Sequence, residues 1–148
     1  MPDLKELAKR SIELFNAHDA AGLAELDDPD VVFSSPSPSG RNEIRGRDAV
    51  RDYNQGWFDA FPDARITVVT ECIGEDSIAT EAIFEGTHRG PMKSEMGEIP
   101  PTGKSLKGHY VQIVRVRDGL NISGSLYFDQ VELMTQLGLM PAMAGASA

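Results

Sequence analysis

Asp129 stands directly before Gln130 to Leu137, a segment whose apolar positions have helical spacing. A carboxylate there can shuttle a proton as general acid and base, or it can cap the helix, because Asp129-Gln130-Val131-Glu132 has the form of a capping box. The residues alone leave both roles open. The neighbours of Asp129 follow from one turn. Asp118-Gly119 lies between two alternating runs and suits a type I′ hairpin, which needs positive φ at both central residues. If Arg117 pairs with Leu120, then Gly108, Tyr110, Gln112 and Val114 lie opposite Asp129, Tyr127, Ser125 and Ser123. This register places Asp129 beside Tyr110, Gln112, Ser125 and Tyr127, a cluster able to bind an oxygenated substrate. It leaves His109, Val111, Ile113, Leu126 and Phe128 on the other face.

Other candidates carry a plain reading beside the functional one. His88 could bond a substrate carbonyl, although a histidine at a strand end more often satisfies loop backbone. Tyr53, Trp57 and Phe61 follow helical spacing, so core packing is expected, with Tyr53 and Trp57 lining a cavity as its by-product. His18 reads as a helix-end residue. Gly103-Lys104-Ser105 resembles the end of a phosphate-binding loop, but Glu98 occupies the position that needs glycine. The histidines have no metal-ligand spacing, so neither a metal nor a cofactor is expected. No serine stands in a nucleophile elbow, and Cys72, in an apolar strand, is expected in the core.

These groups must be positioned by helices first and strands second. Helical spacing runs from Leu4 to His18, through a shorter segment before Pro29, and from Asp48 to Phe61, where Pro62 ends it. Val31 to Phe33 predicts a short strand and Ser34 to Gly40 an irregular loop. Alternation then predicts strands over Arg65 to Ile73, Ser77 to Thr87, Ser105 to Arg117 and Leu120 to Phe128, in an antiparallel sheet. The long connection from Arg89 to Thr102, with apolar Met92, Met96 and Ile99, suggests a lid over a cavity mouth. The expected class is α+β, one domain over residues 1–140 with helices packed on a curved sheet, and a poorly ordered tail over 141–148. Gly86, Gly108 and Gly124 are candidates for the curvature.

Composition narrows the partners. With 14 Lys and Arg against 23 Asp and Glu, the net charge of −9 argues against nucleic acid and anionic membrane surfaces. No apolar run approaches the roughly 20 residues of a membrane span, and the N-terminus shows no targeting pattern. The single cysteine agrees with a reducing compartment, so the cytoplasm is expected and the Asn121-Ile122-Ser123 glycosylation match reads as accidental. A neutral, apolar small molecule suits this charge.

Gly86-Thr87-His88-x-Gly90, Pro100-Pro101-Thr102-Gly103-Lys104, Asp118-Gly119, and Asp129 with Leu133, Gln136, Leu137 and Gly138 together form an ordered pattern. With Phe15-Asn16, the Gly46 to Val50 segment and Phe61-Pro62-Asp63, it resembles the SnoaL-like polyketide cyclase family. The resemblance implies a nuclear transport factor 2-like α+β cone, and intramolecular aldol cyclisation or isomerisation of a carbonyl compound. It implies that Asp129 is the general acid and base. It also places Gln112 where characterised cyclases carry histidine, and Ser123-Gly124-Ser125 where many relatives have a Glu-His-Trp-like stretch. The polar face would then be concave and helix-covered, and the apolar face buried in a homodimer or higher oligomer. A non-catalytic binding or dimerisation module of the same fold is the alternative. Water addition as in epoxide hydrolases ranks below it, since no Asp-Arg-Asp-like set is visible.

Overall fold

The computed structural model describes residues 3–37, 39–94 and 97–140, so the expected tail over 141–148 lies outside the described residues. Leu7, Ala8 and Leu14 recur at helical spacing and are the buried face of α1 (Leu4–Asn16). The Asp3 carboxylate caps that helix, accepting from the Lys5 amide at 3.0 Å. His18 follows in the left-handed region, φ 56°, with Nε2 donating to the Ala64 carbonyl at 2.7 Å and its ring stacked on Phe58. Asp19 then caps α2 (Ala20–Glu25) by accepting from the Gly22 amide at 2.8 Å.

The chain continues through β1 (Asp27–Ser37), β2 (Gly40–Arg45), α3 (Arg47–Ala60), β3 (Arg65–Ile73) and β4 (Ser77–Thr87). A small hairpin, β5 (Met92–Ser94) and β6 (Gly97–Ile99), precedes β7 (Ser105–Arg117), β8 (Leu120–Phe128) and α4 (Gln130–Gln136). The main sheet has the order β2-β1-β8-β7-β4-β3. Its pairs are antiparallel except β1 with β8, which run parallel. The four long strands after Pro62 have the bounds that alternation predicts.

The region before α3 departs from expectation. The short strand and loop are instead one long strand, β1, turning into β2. Pro36 is tolerated because β1 pairs with β8 only as far as Ser34, so the missing amide costs no bond on that side. The described residues of the Arg89 to Thr102 stretch, outside which Met96 of the expected lid lies, also differ from a lid. The Arg89 and Gly90 amides both donate to the Ala60 carbonyl at 3.1 Å, and Met92 packs on the main core. A Cβ on Gly90 would lie 1.8 Å from the Asp59 carbonyl oxygen, so the segment is docked against the end of α3. None of its described residues lines the interior cavity.

Cys72 is exposed, contrary to a core placement, because it lies on the edge strand β3, where only Ile66 is buried. The main core instead joins Leu14, Leu23, Phe58 and Phe61 to Leu133 and Leu137 of α4. Two glycines let aromatic rings approach the sheet. A Cβ on Gly124 would meet Phe33 at 2.8 Å, and one on Gly86 would meet Phe61 at 3.0 Å. No helix is long and apolar enough to cross a membrane among the described residues.

Candidate functional site

The β7–β8 hairpin decides which side chains share the interior. Arg117↔Leu120 and Val116↔Asn121 pair as the turn predicts, but β8 then carries one extra residue, Ile122. Beyond this bulge the partners become Arg115↔Ser123, Gln112↔Leu126 and Tyr110↔Phe128. A one-residue slip exchanges the faces of every residue that follows. Leu126 and Phe128 therefore join Tyr110 and Gln112 on the inner face. Ser125 and Tyr127, expected beside Asp129, lie on the outer face with Val111 and Ile113. Tyr127 is 50% exposed, its ring under the Arg41 guanidinium at 4.3 Å. Ser125 Oγ is 3.4 Å from Ser34 Oγ. The bulge is the physical reason for both corrections.

The inner face encloses a cavity of about 170 Å³ between the sheet and the helices. Its walls are mainly apolar: Leu7 and Phe15 of α1, Phe84 of β4, Leu126 and Phe128 of β8, and Leu133 of α4. Tyr53 and Trp57 line it from α3, as their spacing predicts, and touch edge-on with centroids 6.3 Å apart. Burial pushes the Tyr53 phenol pKa up, opposed by its hydrogen bonds to Ser35 and Trp57.

Tyr110 and Gln112 also line the cavity. Burial raises the Tyr110 pKa strongly, so its hydroxyl stays protonated and available as a donor. Asp129 is exposed at the edge of the same cavity, one residue beyond Phe128, the partner of Tyr110. Its Oδ1 accepts from the Glu132 amide at 3.1 Å, so it caps α4. Asp129, Tyr110, Gln112, Tyr53 and Trp57 are thus brought together around one space.

His88 is not among them. It is fully buried behind Phe61, with ring centroids 5.5 Å apart, and does not line the cavity. The Thr102 amide donates to its Nδ1 at 3.2 Å, while the His88 and Gly103 backbone amides tie the loop base together. Burial lowers its pKa, the Gly90 backbone opposing. Its place in the loop base is the reason it cannot meet a ligand in the cavity.

Sequence reasoning missed Asp27, at the other end of the cavity. It is only 7% exposed, and its Oδ1 accepts from Asn121 Nδ2 at 3.0 Å. Desolvation raises its pKa from 3.8 to about 6, against the lowering effects of Asn121 and the nearby Arg47 charge. The available signal was Asn121 itself, the first polar residue after the hairpin turn.

The sequence profile of the SnoaL-like polyketide cyclase family matches residues 5–137. Among solved structures, IdmH of Streptomyces antibioticus, to which a polyketide cyclase activity is attributed, is 30% identical. The alignment covers 90% of this chain and 97% of IdmH with a TM-score of 0.72. AclR of Streptomyces galilaeus, to which a hydroxylase activity is attributed, is 27% identical over 94% of this chain and 83% of its own, TM-score 0.75. TsrD of Streptomyces laurentii shares the fold at 22% identity, TM-score 0.77, over 95% of this chain and all of its own. None of the curated proteins matches the chain in sequence. Similarity to structures with the nuclear transport factor 2-like and ketosteroid isomerase-like fold agrees with the α+β architecture described above. The family match spans nearly the whole chain and every element that builds the cavity: the protein belongs to the SnoaL-like polyketide cyclase family.

Proposed function

We propose that the chain is a cofactor-independent cyclase or isomerase for a neutral, largely apolar carbonyl compound, with Asp129 moving the proton. The observation that carries the reading is the pairing of Asp129 at the cavity edge with the Tyr110 hydroxyl and Gln112 amide in its wall, groups that form no hydrogen bond with the described residues. In an intramolecular aldol reaction the Asp129 carboxylate takes a proton from the carbon beside a carbonyl. The electron pair moves onto the carbonyl oxygen, and Tyr110 and Gln112 donate hydrogen bonds to that enolate. The enolate carbon then attacks a second carbonyl of the same molecule. The resulting alkoxide recovers the proton from Asp129, so no atom is gained or lost. Isomerisation uses the first half, with the proton returned at a different carbon.

Capping and proton transfer are compatible, because the helix uses one carboxylate oxygen and the other is left to the ligand. The test needs no natural substrate. Incubated with 2-tetralone in heavy water, the protein accelerates deuterium exchange beside the carbonyl, followed by proton NMR. Asp129→Asn, which still caps a helix, lowers that acceleration by roughly 10²–10⁴-fold while 2-tetralone still binds. Full exchange in the variant overturns the role of Asp129.

The same reading includes a homodimer or higher oligomer. The outer sheet face carries exposed Val111, Ile113 and Tyr127, an apolar surface suited to a second copy. Light scattering gives at least twice the 16.1 kDa chain mass. A monomer would contradict this assembly and leave the cavity chemistry to its own test.

A further inference from the structure

We infer that the deep end of the cavity is a hydroxyl-binding station, in which Asp27 Oδ2 accepts an O–H group of the ligand and the Asn121 amide holds the carboxyl in place. The inference rests on the cyclase or isomerase reading only in taking this cavity as the ligand's place. It extends the substrate class to carbonyl compounds that carry a hydroxyl group remote from the reacting carbonyl.

Asp27 lines the cavity while almost fully buried. Among the described residues, Asn121 Nδ2 is the one donor to its carboxyl, and it reaches Oδ1, leaving Oδ2 without a partner. Oδ2 is not sealed in the protein interior, so with Asp27 in the cavity lining it stands open to whatever occupies that space. The junction between β1 and β8 is also made without the carboxylate. The Asn121 backbone N–H donates to the Leu26 carbonyl at 2.9 Å. Arg47 donates through Nε to the Asp27 backbone carbonyl at 2.9 Å, and through Nη2 to the same oxygen. A serine or asparagine could tie these strands with no charge to desolvate.

The surrounding chemistry selects the ligand group. Leu7, Ala8, Leu26, Ile78 and Val114 wall this end, with no aromatic face to receive an ammonium, and the Arg47 charge beside Asp27 opposes a cation. A hydroxyl is accommodated by either protonation state, since the carboxylate accepts from it and the acid can also donate to it. The carboxyl pKa near 6 agrees with a group held in so apolar a setting.

Position then separates this station from Asp129. Eight residue steps along β8 and just past its end separate Asn121 from Asp129, roughly 25 Å at the rise of a strand, so the two carboxylates do not act on one atom. Gln112 is nearer: four residue steps along β7 take it to Val116, the partner of Asn121, or about 13 Å. A ligand with its carbonyl at Gln112 therefore lies lengthwise, with its far end directed at Asp27.

The test compares 2-naphthol with 2-methoxynaphthalene by isothermal titration calorimetry on the full chain. The wild type binds the naphthol about tenfold more tightly, and Asp27→Leu brings the two within about twofold. Asp27→Asn, which keeps shape and polarity, serves if the leucine variant does not fold; it reduces the preference at least about threefold. Independently of any variant, the naphthol shifts the carbon NMR resonance of the Asp27 carboxyl and the methyl ether does not. Equal binding of both probes with Asp27 unmoved overturns the station and leaves the cavity reading standing. A preference lost in Asp129→Asn and retained in Asp27→Leu places the hydroxyl at the other end and overturns it as well. Tighter, Asp27-dependent binding of 2-naphthylmethylamine makes this a cation site and overturns the hydroxyl assignment. Binding of none of the three probes overturns the cavity reading and the station with it.

Discussion

The two ends of the cavity each present one aspartate, and almost everything around them differs. Asp129 is exposed, bonded to the backbone of its own helix, and adjacent in sequence to what it caps. Asp27 is buried, bonded to a side chain 94 residues away, and set among aliphatic walls. Identical side chains therefore have different natural tasks. On the proposed reading the exposed carboxylate takes and returns the proton, with one oxygen bonded to the helix and the other open to a ligand. The buried one is a fixed acceptor whose charge is costly. Tyr110 and Gln112, nearer the Asp129 end along β7, extend the contrast, because they supply donors where negative charge would develop.

The contrast can be broken most decisively at the donor end. Tyr110→Phe removes one hydroxyl from the wall and lowers the rate of 2-tetralone exchange by about 10²-fold, with a smaller change in its binding. An unchanged rate would remove the distinction between a chemical end and a binding end. The buried end is sharpened by pH. The folded Asp27 carboxyl holds its proton to about pH 6, whereas the unfolded one releases it near 3.8. This group therefore favours the folded state most below pH 3.8, and that advantage is lost as pH rises through 6. Relative to wild type, Asp27→Asn does not titrate, so its unfolding free energy gains roughly 3 kcal/mol on the wild type between the acid and neutral limits. Urea melts across this range measure the difference, and a flat difference would make Asp27 an ordinary surface-like carboxylate. The smallest effect belongs to the cap. Asp129→Ala costs about 1 kcal/mol in the same melts, whereas Asp129→Asn costs little, which separates helix capping from proton transfer.

Local physics made part of this legible in advance. The helix cap at Asp129, the Asp118-Gly119 turn and the Tyr53, Trp57 stripe each depend on residues close in sequence, and each is present in the structure, although the Glu132 side chain bonds Gln136 instead of closing a capping box. The family pattern spans these same features. What escaped depends on distant pairing. Asp27 lies in the acidic Asp27-Asp28-Pro29-Asp30 run, which has the look of a solvated turn, and only the parallel alignment of β1 with β8 buries it. Cys72 looked internal because its neighbours are apolar, but nothing in a strand's own sequence tells that it will be an edge. Ser125 and Tyr127 were displaced by one unpaired residue whose effect appears only when both strands are aligned.

That residue, Ile122, has a consequence for how the gene can change. Deleting its codon would close the bulge and leave Ser123 opposite Arg115, Leu126 opposite Gln112 and Phe128 opposite Tyr110, so the inner wall would keep its residues. The unpaired residue gives the hairpin one position of slack, so a single-codon deletion beside it is absorbed by closing the bulge while the residues beyond keep their partners. Shortening this stretch by one residue therefore leaves the cavity wall intact, whereas lengthening it by one would demand a second bulge to hold Leu126 and Phe128 inward.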